Sequence, residues 1–506
     1  MTLLLLLLLP LVAGLVLPLL PQSRPLLVRG VASATALAQL VVGLVAWRQP
    51  PADLSLTWLP RLGLSLDLGL DGLSLPMVLL AGLITAMAVL ASPADQSRPR
   101  LYFALMLATN LGVVGAFLAR NALLFVLAFE LVLIPTTLLV AIWGGERRAG
   151  AAVRFLLFGA VSGLSLLGGV LAFGWFGQGA AGADSAVSFS FEALAATPLP
   201  PSAQMLVLGL LLLGFGIKLP IVPVHGWQPI SYAEAPAPVV MLLGGVVSKL
   251  GAYGLLRFGV GLLPEAWSAF SPWIAAAGAV SAVYGALNAV AATDIRRLMA
   301  YSSLGHMGLL VLALAAATPM SLQGAVAQVL AHGLIVALLF DCVGLIQRKT
   351  GTTAIAELSG LLNPIRGLPF TMGLMLLALM AAAGIPGLAG FPAELLVFEG
   401  SWTVFPRATL ICLVASGFTA VYAVRLFNRV AFGRLDNNRA DWQSTRLSER
   451  LPAVVLTTLV VLAGIWPVGL TAWSEASTAA IALRHSDPVV HHLALAPSSP
   501  SLSLPA

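Results

Sequence analysis

Residues 205–227 read MLVLGLLLLGFGIKLPIVPVHGW, and the way this stretch starts and stops decides the fold. An apolar helix runs into Lys218, and Pro220 and Pro223 then break it, because proline lacks the amide hydrogen and crowds the preceding turn. At lipid depth a lysine costs at least ~2.5 kcal/mol on insertion scales. Backbone groups freed by a break must face protein or water. The stretch therefore reads as a broken membrane span that carries a functional charge.

The composition extends that reading to the whole chain. Of 506 residues, 59% are hydrophobic and only 9% charged, and the mean hydropathy is +0.98. A bilayer helix needs roughly 20 apolar residues. Apolar runs of that length recur about fourteen times, separated by short joints, so no soluble catalytic domain fits. The expected class is an all-α polytopic membrane protein. Its first run, MTLLLLLLLPLVAG, has the core of a signal peptide but no basic residue before Leu3, and it is read as a retained first span.

The net charge of +6 does not point to nucleic acid, because the 26 Lys and Arg lie scattered through the joints rather than in a stripe. Eighteen of them fall in the joints that follow odd-numbered spans. The positive-inside rule puts those joints in the cytoplasm and both termini on the lumenal or periplasmic side. Cys342 and Cys412 sit singly in apolar runs, so neither a disulfide nor an iron–sulfur or zinc site is indicated. His485, His491 and His492 lie in a Ser- and Pro-rich tail that reads as solvated.

Six ionisable residues fall at mid-span: Glu130, Lys218, Lys249, His306, His332 and Glu394. Each alone has a plain structural reading, as a snorkelling lysine or a satisfied core histidine. Together they alternate in sign and reference pKa as a proton relay needs. Glu394 follows Pro386, Gly387, Gly390 and Pro392, so the twelfth span, like the seventh, reads as broken. From Glu130 to His306, Lys218 to Glu394 and Lys249 to Arg425 the offset is 176 residues each time. Two inverted five-helix repeats follow from these features, over 101–260 and 266–430. They are flanked by helices 1–3 over 1–100, a loop and last helix over 431–473, and a polar tail over 474–506. Asp341, near the cytoplasmic end of the eleventh span, is read as reaching toward Arg348 and Lys349.

The run GFGIKLPIVPVHGWQPISYAEAP (214–236) also resembles the antiporter-like chain-4 subunits of the proton-pumping NAD(P)H-quinone oxidoreductases, the respiratory complex I type. The resemblance covers about residues 70–430 and includes FELVLIPTTLLVAIWG (129–144), VVSKLGAYGLLRFG (246–259), DIRRLMAYSSLGHMG (294–308), QVLAHGLIVALLF (328–340) and AGIPGLAGFPAE (383–394). It implies that Glu130 is the family's fifth-span acid, Lys218 and Lys249 its seventh- and eighth-span lysines, His332 its eleventh-span histidine and Glu394 the terminal acid. The stretches GLLNPIRGLPF (360–370) and FPAELLVFEGSW (391–402) are most similar to cyanobacterial forms, including those of complexes that drive carbon dioxide uptake.

The function implied is proton translocation coupled to quinone reduction, with no redox chemistry in this chain. Protons would enter from the cytoplasm, pass Lys218 and Lys249 with the two histidines as titratable steps, and leave through Glu394. Cofactors are expected in partner subunits: a quinone such as plastoquinone, NAD(P)H or ferredoxin, and iron–sulfur clusters. The implied partners are other membrane subunits, sister antiporter-like chains among them, in a thylakoid or bacterial inner membrane. The rival readings are a subunit of a multisubunit cation/proton antiporter, a membrane cytochrome with His306 and His332 as axial ligands, and a scaffold that no longer pumps.

Overall fold

The computed structural model describes residues 1–93, 95–181, 188–197, 199–435 and 445–486. Among them thirteen helices are long and apolar enough to cross a membrane, from Thr2–Leu19 to Leu447–Ile465. A broken pair, Pro369–Ala382 and Gly390–Trp402, supplies a further crossing between Pro319–Thr350 and Pro406–Ala431. The order and count match the expectation from the apolar runs. Local chemistry sets many of the starts: proline stands in the first turn of Pro25–Arg48, Pro99–Leu118, Pro264–Ala291, Pro319–Thr350 and Pro406–Ala431, where its missing N–H costs nothing. Asn121 and Asp294 each accept two backbone N–H bonds at the next helix start.

The helices that carry Lys249, His306 and His332 form the centre. Over an 18-residue window, Ala237–Val260 and Pro319–Thr350 are wholly buried, whereas only 28% of Thr2–Leu19 and of Leu447–Ile465 is. Charges on central helices see protein, not lipid. The basic joints gather at one end, tied by Arg100 to Gln22 (3.0 Å), Arg296 to Gln347 (2.8 Å) and Lys349 to Glu449 (3.1 Å). At the other end Asp71 joins Arg257 and Arg120, the latter at 3.2 Å. Burial opposes the Asp71 charge, but the two guanidiniums outweigh it and hold its carboxyl well below the usual carboxylate range.

Three features depart from the sequence reading. Within the polar segment 48–71, Leu54–Leu59 pairs antiparallel with Leu64–Leu68, a hairpin whose alternating Leu-Ser-Leu pattern was the available sign. The segment after 474 is not simply a solvated tail. Glu475–Ser486 is a helix whose Thr478, Ile481 and Ala482 are buried along one stripe. From it Arg484 donates to the Gly261 carbonyl (2.7 Å) and His485 bonds the Val260 carbonyl (2.9 Å), both at the C-terminal end of the eighth span, where positive groups are favoured. His491 and His492 lie outside the described residues. Asp341 does not reach the surface: it is 2% exposed and has no ion pair within 4.0 Å among the described residues, Arg348 acting on it from farther off and Lys349 being taken by Glu449. The rest of its helix packs on all sides, which leaves the short side chain no way out.

Candidate proton-conducting site

The fifth span is interrupted as well. It runs as Ala122–Leu131 and then Leu133–Trp143, because Pro135 cannot bond back to the Leu131 carbonyl. Glu130 stands at this break. Its carboxylate lies against Gly163 on the neighbouring helix, so closely that any β-carbon there would overlap it. Lys218 is the last residue of Pro201–Lys218, 4% exposed, and its ammonium sits 4.6 Å from the Phe129 ring centroid, a cation–π contact beside the acid. No ion pair within 4.0 Å joins Glu130 to Lys218 among the described residues.

Lys249 is fully buried, and the eighth span is wound unusually around it. Leu243–Val247 and Leu255–Val260 are π-helical, flanking the α-helical Lys249–Gly254. Such widened turns cluster at functional sites. The Lys249 Nζ lies 2.6 Å from His332 Nδ1 and 3.4 Å from Ser248 Oγ.

The line continues from His332. Its ring centroid is 5.6 Å from that of His306. His306 Nδ1 faces the Ser302 carbonyl at 2.8 Å, and its Nε2 faces the Ala382 carbonyl at 2.9 Å and Glu394 Oε1 at 3.4 Å. Ala382 ends the first half of the broken twelfth span, so the break supplies the carbonyl. Glu394 is 6% exposed and accepts from Ser416 at 2.8 Å. Beyond it the Tyr422 hydroxyl is hydrogen-bonded to Ser302 (2.7 Å) and to Thr419 (3.1 Å). A small cavity lined by Ser302, Gln328, His332, His306 and Glu394 joins these groups, and a second continues it past Ser416 and Tyr422. Among the described residues, no three His, Cys, Asp or Glu side chains converge as a metal site.

The six residues thus form two groups. Lys249, His332, His306 and Glu394 make one polar line, and Glu130 with Lys218 makes a separate pair. Between them stand aromatic side chains: Phe215 packs on Gly251 and Gly254 and against the rings of Phe129 and Phe258. Arg425, which shares the 176-residue register with Lys249, lies off the line, bonded to the Val290 carbonyl at 3.3 Å. Ser302, Ser416, Tyr422 and Gly163 were not singled out in the sequence. Ser416, Thr419 and Tyr422 recur every three residues on one helical face, a readable polar stripe; Gly163 had no such sign.

A buried line of titratable side chains across a many-helix membrane bundle defines an ion-conducting subunit of the antiporter-like class. The NADH:quinone oxidoreductase/Mrp antiporter transmembrane family matches residues 119–419. The chain is 36% identical over 510 residues to NAD(P)H-quinone oxidoreductase chain 4 2 of Thermosynechococcus vestitus, covering 96% of this chain and 94% of that one. It is 38% identical over 500 residues to chain 4 1 of Synechococcus sp. strain JA-3-3Ab, covering 95% and 92%. Its structure is similar to a chain of respiratory complex I from Thermus thermophilus (TM-score 0.87, 29% identity, 96% and 100% covered). The fold is shared with a chain of the Mrp complex from Dietzia sp. (TM-score 0.82, 21% identity, 97% and 98% covered). The chain belongs to the chain 4 family of NAD(P)H-quinone oxidoreductases.

Proposed function

We propose that the chain is a proton-translocating membrane subunit of an NAD(P)H-quinone oxidoreductase, working as part of the enzyme complex and performing no bond chemistry itself. The observation that carries this reading is the line Lys249, His332, His306, Glu394, in which neighbouring titratable groups stand 2.6 to 5.6 Å apart inside the bundle. Protons would be taken up from the basic end, which the positive-inside rule makes cytoplasmic, held at Lys249 and the two histidines, and released through Glu394. Both termini would then lie on the lumenal or periplasmic side. The pair Glu130 and Lys218 would act as the input from the rest of the complex. Moving the carboxylate toward the ammonium stabilises the charged lysine, and moving it away discharges the lysine. The relay would follow the two five-helix repeats, 101–260 and 266–430.

The finer setting is a plastoquinone-reducing complex of a cyanobacterial thylakoid, with the electron donor and iron–sulfur clusters in partner subunits. A role in carbon dioxide uptake would show as a growth defect confined to limiting carbon dioxide when the chain is deleted. The primary test is quinone-linked proton pumping in membranes holding the intact complex, comparing wild type with Lys218→Ala and Glu130→Ala while electron transfer is followed. Loss of pumping with slowed oxidation in both supports the relay. Pumping that survives both substitutions overturns it.

A further inference from the structure

The short helix Gln228–Glu234, between the break after Lys218 and the eighth span, carries three buried polar atoms that no protein group satisfies: Gln228 Oε1, Ser231 Oγ and the Tyr232 hydroxyl. All three residues are 0% exposed. Orphaned buried polar atoms are uncommon, because each forfeits ~1 to 3 kcal/mol of solvation. Three within five residues call for a use. The Tyr232 ring is accounted for by its edge contacts with Phe340 and Trp227, which a phenylalanine would make equally well. Packing therefore explains the ring and leaves the hydroxyl.

That hydroxyl points at the widened turn beside Lys249. A β-carbon on Gly244, inside the π-helical segment, would lie 3.2 Å from it and 2.6 Å from Val336, so only glycine lets the ring and its hydroxyl come this close to the turn. The side chains of Ser248 and Gln228 lie close enough to the hydroxyl to interact with it, but outside good hydrogen-bond geometry. Ser248 Oγ in turn stands 3.4 Å from Lys249 Nζ. On the other side, Arg296 holds the Tyr232 carbonyl (3.0 and 3.2 Å), and two residues on, Glu234 accepts from the Arg147 amide at the basic end. Tyr232 thus stands between the basic end and Lys249.

We propose that Tyr232 and Ser248 are the last protein steps of the proton uptake path to Lys249, bridged to each other by ordered water. The inference rests on the relay reading above. Each hydroxyl can accept a proton from water on one side and pass its own to the other, so neither has to ionise. Orphaned buried polar atoms are the partners that an internal water requires.

Tyr232→Phe and Ser248→Ala, made in the intact complex, test this against Lys249→Ala, with Ser248→Thr restoring the hydroxyl. Quinone-linked pumping is expected to fall about tenfold or more in Tyr232→Phe and Ser248→Ala, at unchanged assembly, and to return in Ser248→Thr. If Lys249→Ala stops pumping while Tyr232→Phe and Ser248→Ala pump as wild type, the uptake path is wrong and the relay stands. If Lys249→Ala also pumps, the relay itself is wrong. Should Tyr232→Phe fail to assemble, a water-resolving map of the wild-type complex decides: water bridging Tyr232 and Ser248 supports the path, and a dry contact overturns it.

Discussion

Lys249 Nζ lies 2.6 Å from His332 Nδ1, and both groups are buried on the two most enclosed helices of the bundle. At that distance an ammonium donates to a neutral imidazole, or an imidazolium to a neutral amine, but two cations cannot share the contact. The pair can carry one excess proton, on either nitrogen. Lys249→Arg would fix that proton permanently, since a guanidinium does not discharge. Pumping is expected to be lost in Lys249→Arg although positive charge is kept, as read by vesicle acidification during quinone reduction.

At the far end of the line, Glu394 has both a histidine and a hydroxyl partner. Glu394→Gln keeps the shape and removes the titratable acid, so pumping should fall by on the order of 10²-fold, the scale of a lost acid–base group. Ser416→Ala removes one hydrogen bond to the same carboxylate and should cost only about 1 kcal/mol, a several-fold slowing. Proton release kinetics in single-turnover measurements would separate the two. Equal effects would mean that Glu394 acts only as a structural partner of Ser416.

Gly163 gives a sharper check on the input pair. Gly163→Ala would place a methyl group on the Glu130 carboxylate and push it off its present position. Gly150→Ala, on the same helix with nothing within 4 Å, is the matched control. Pumping should drop in Gly163→Ala and stay at wild-type level in Gly150→Ala, with equal assembly of both.

Asp341 is predicted to be dispensable. It is buried beside the Ala453 backbone, within electrostatic reach of Arg348, and lies apart from the polar line. Asp341→Leu should leave quinone-linked pumping at the wild-type level. A loss of pumping would bring Asp341 into the relay.

The Asp71 clamp is expected to govern stability at the opposite end. Its carboxyl is depressed in the folded protein, so the ion-pair contribution is fully present above the ordinary Asp range, near pH ~3.9, and is lost as the pH falls through the lower folded value. Asp71→Asn should remove about 1 to 3 kcal/mol, a figure discounted for its partial exposure, and should flatten the acid limb of a pH–stability curve.

The crossings, the basic end and the identity of the buried charges are legible in the order of the residues alone. This is so because bilayer thickness and the cost of charge in lipid act on each span separately, so Lys218 before Pro220 or Glu394 after Pro392 is legible without any neighbour. Which charge meets which was decided only by the tertiary structure. His332 and Lys249 are 83 residues apart, and their contact depends on how two helices rotate about their axes. The break in the fifth span was written in Pro135, yet the space for Glu130 is a glycine on another helix. The helix Glu475–Ser486 was read as solvated because its polar composition outweighs a narrow apolar stripe until a docking surface is present. Hydrophobicity and charge act locally and can be read along a chain; hydrogen-bond geometry is a property of pairs, and only packing brings the pairs together.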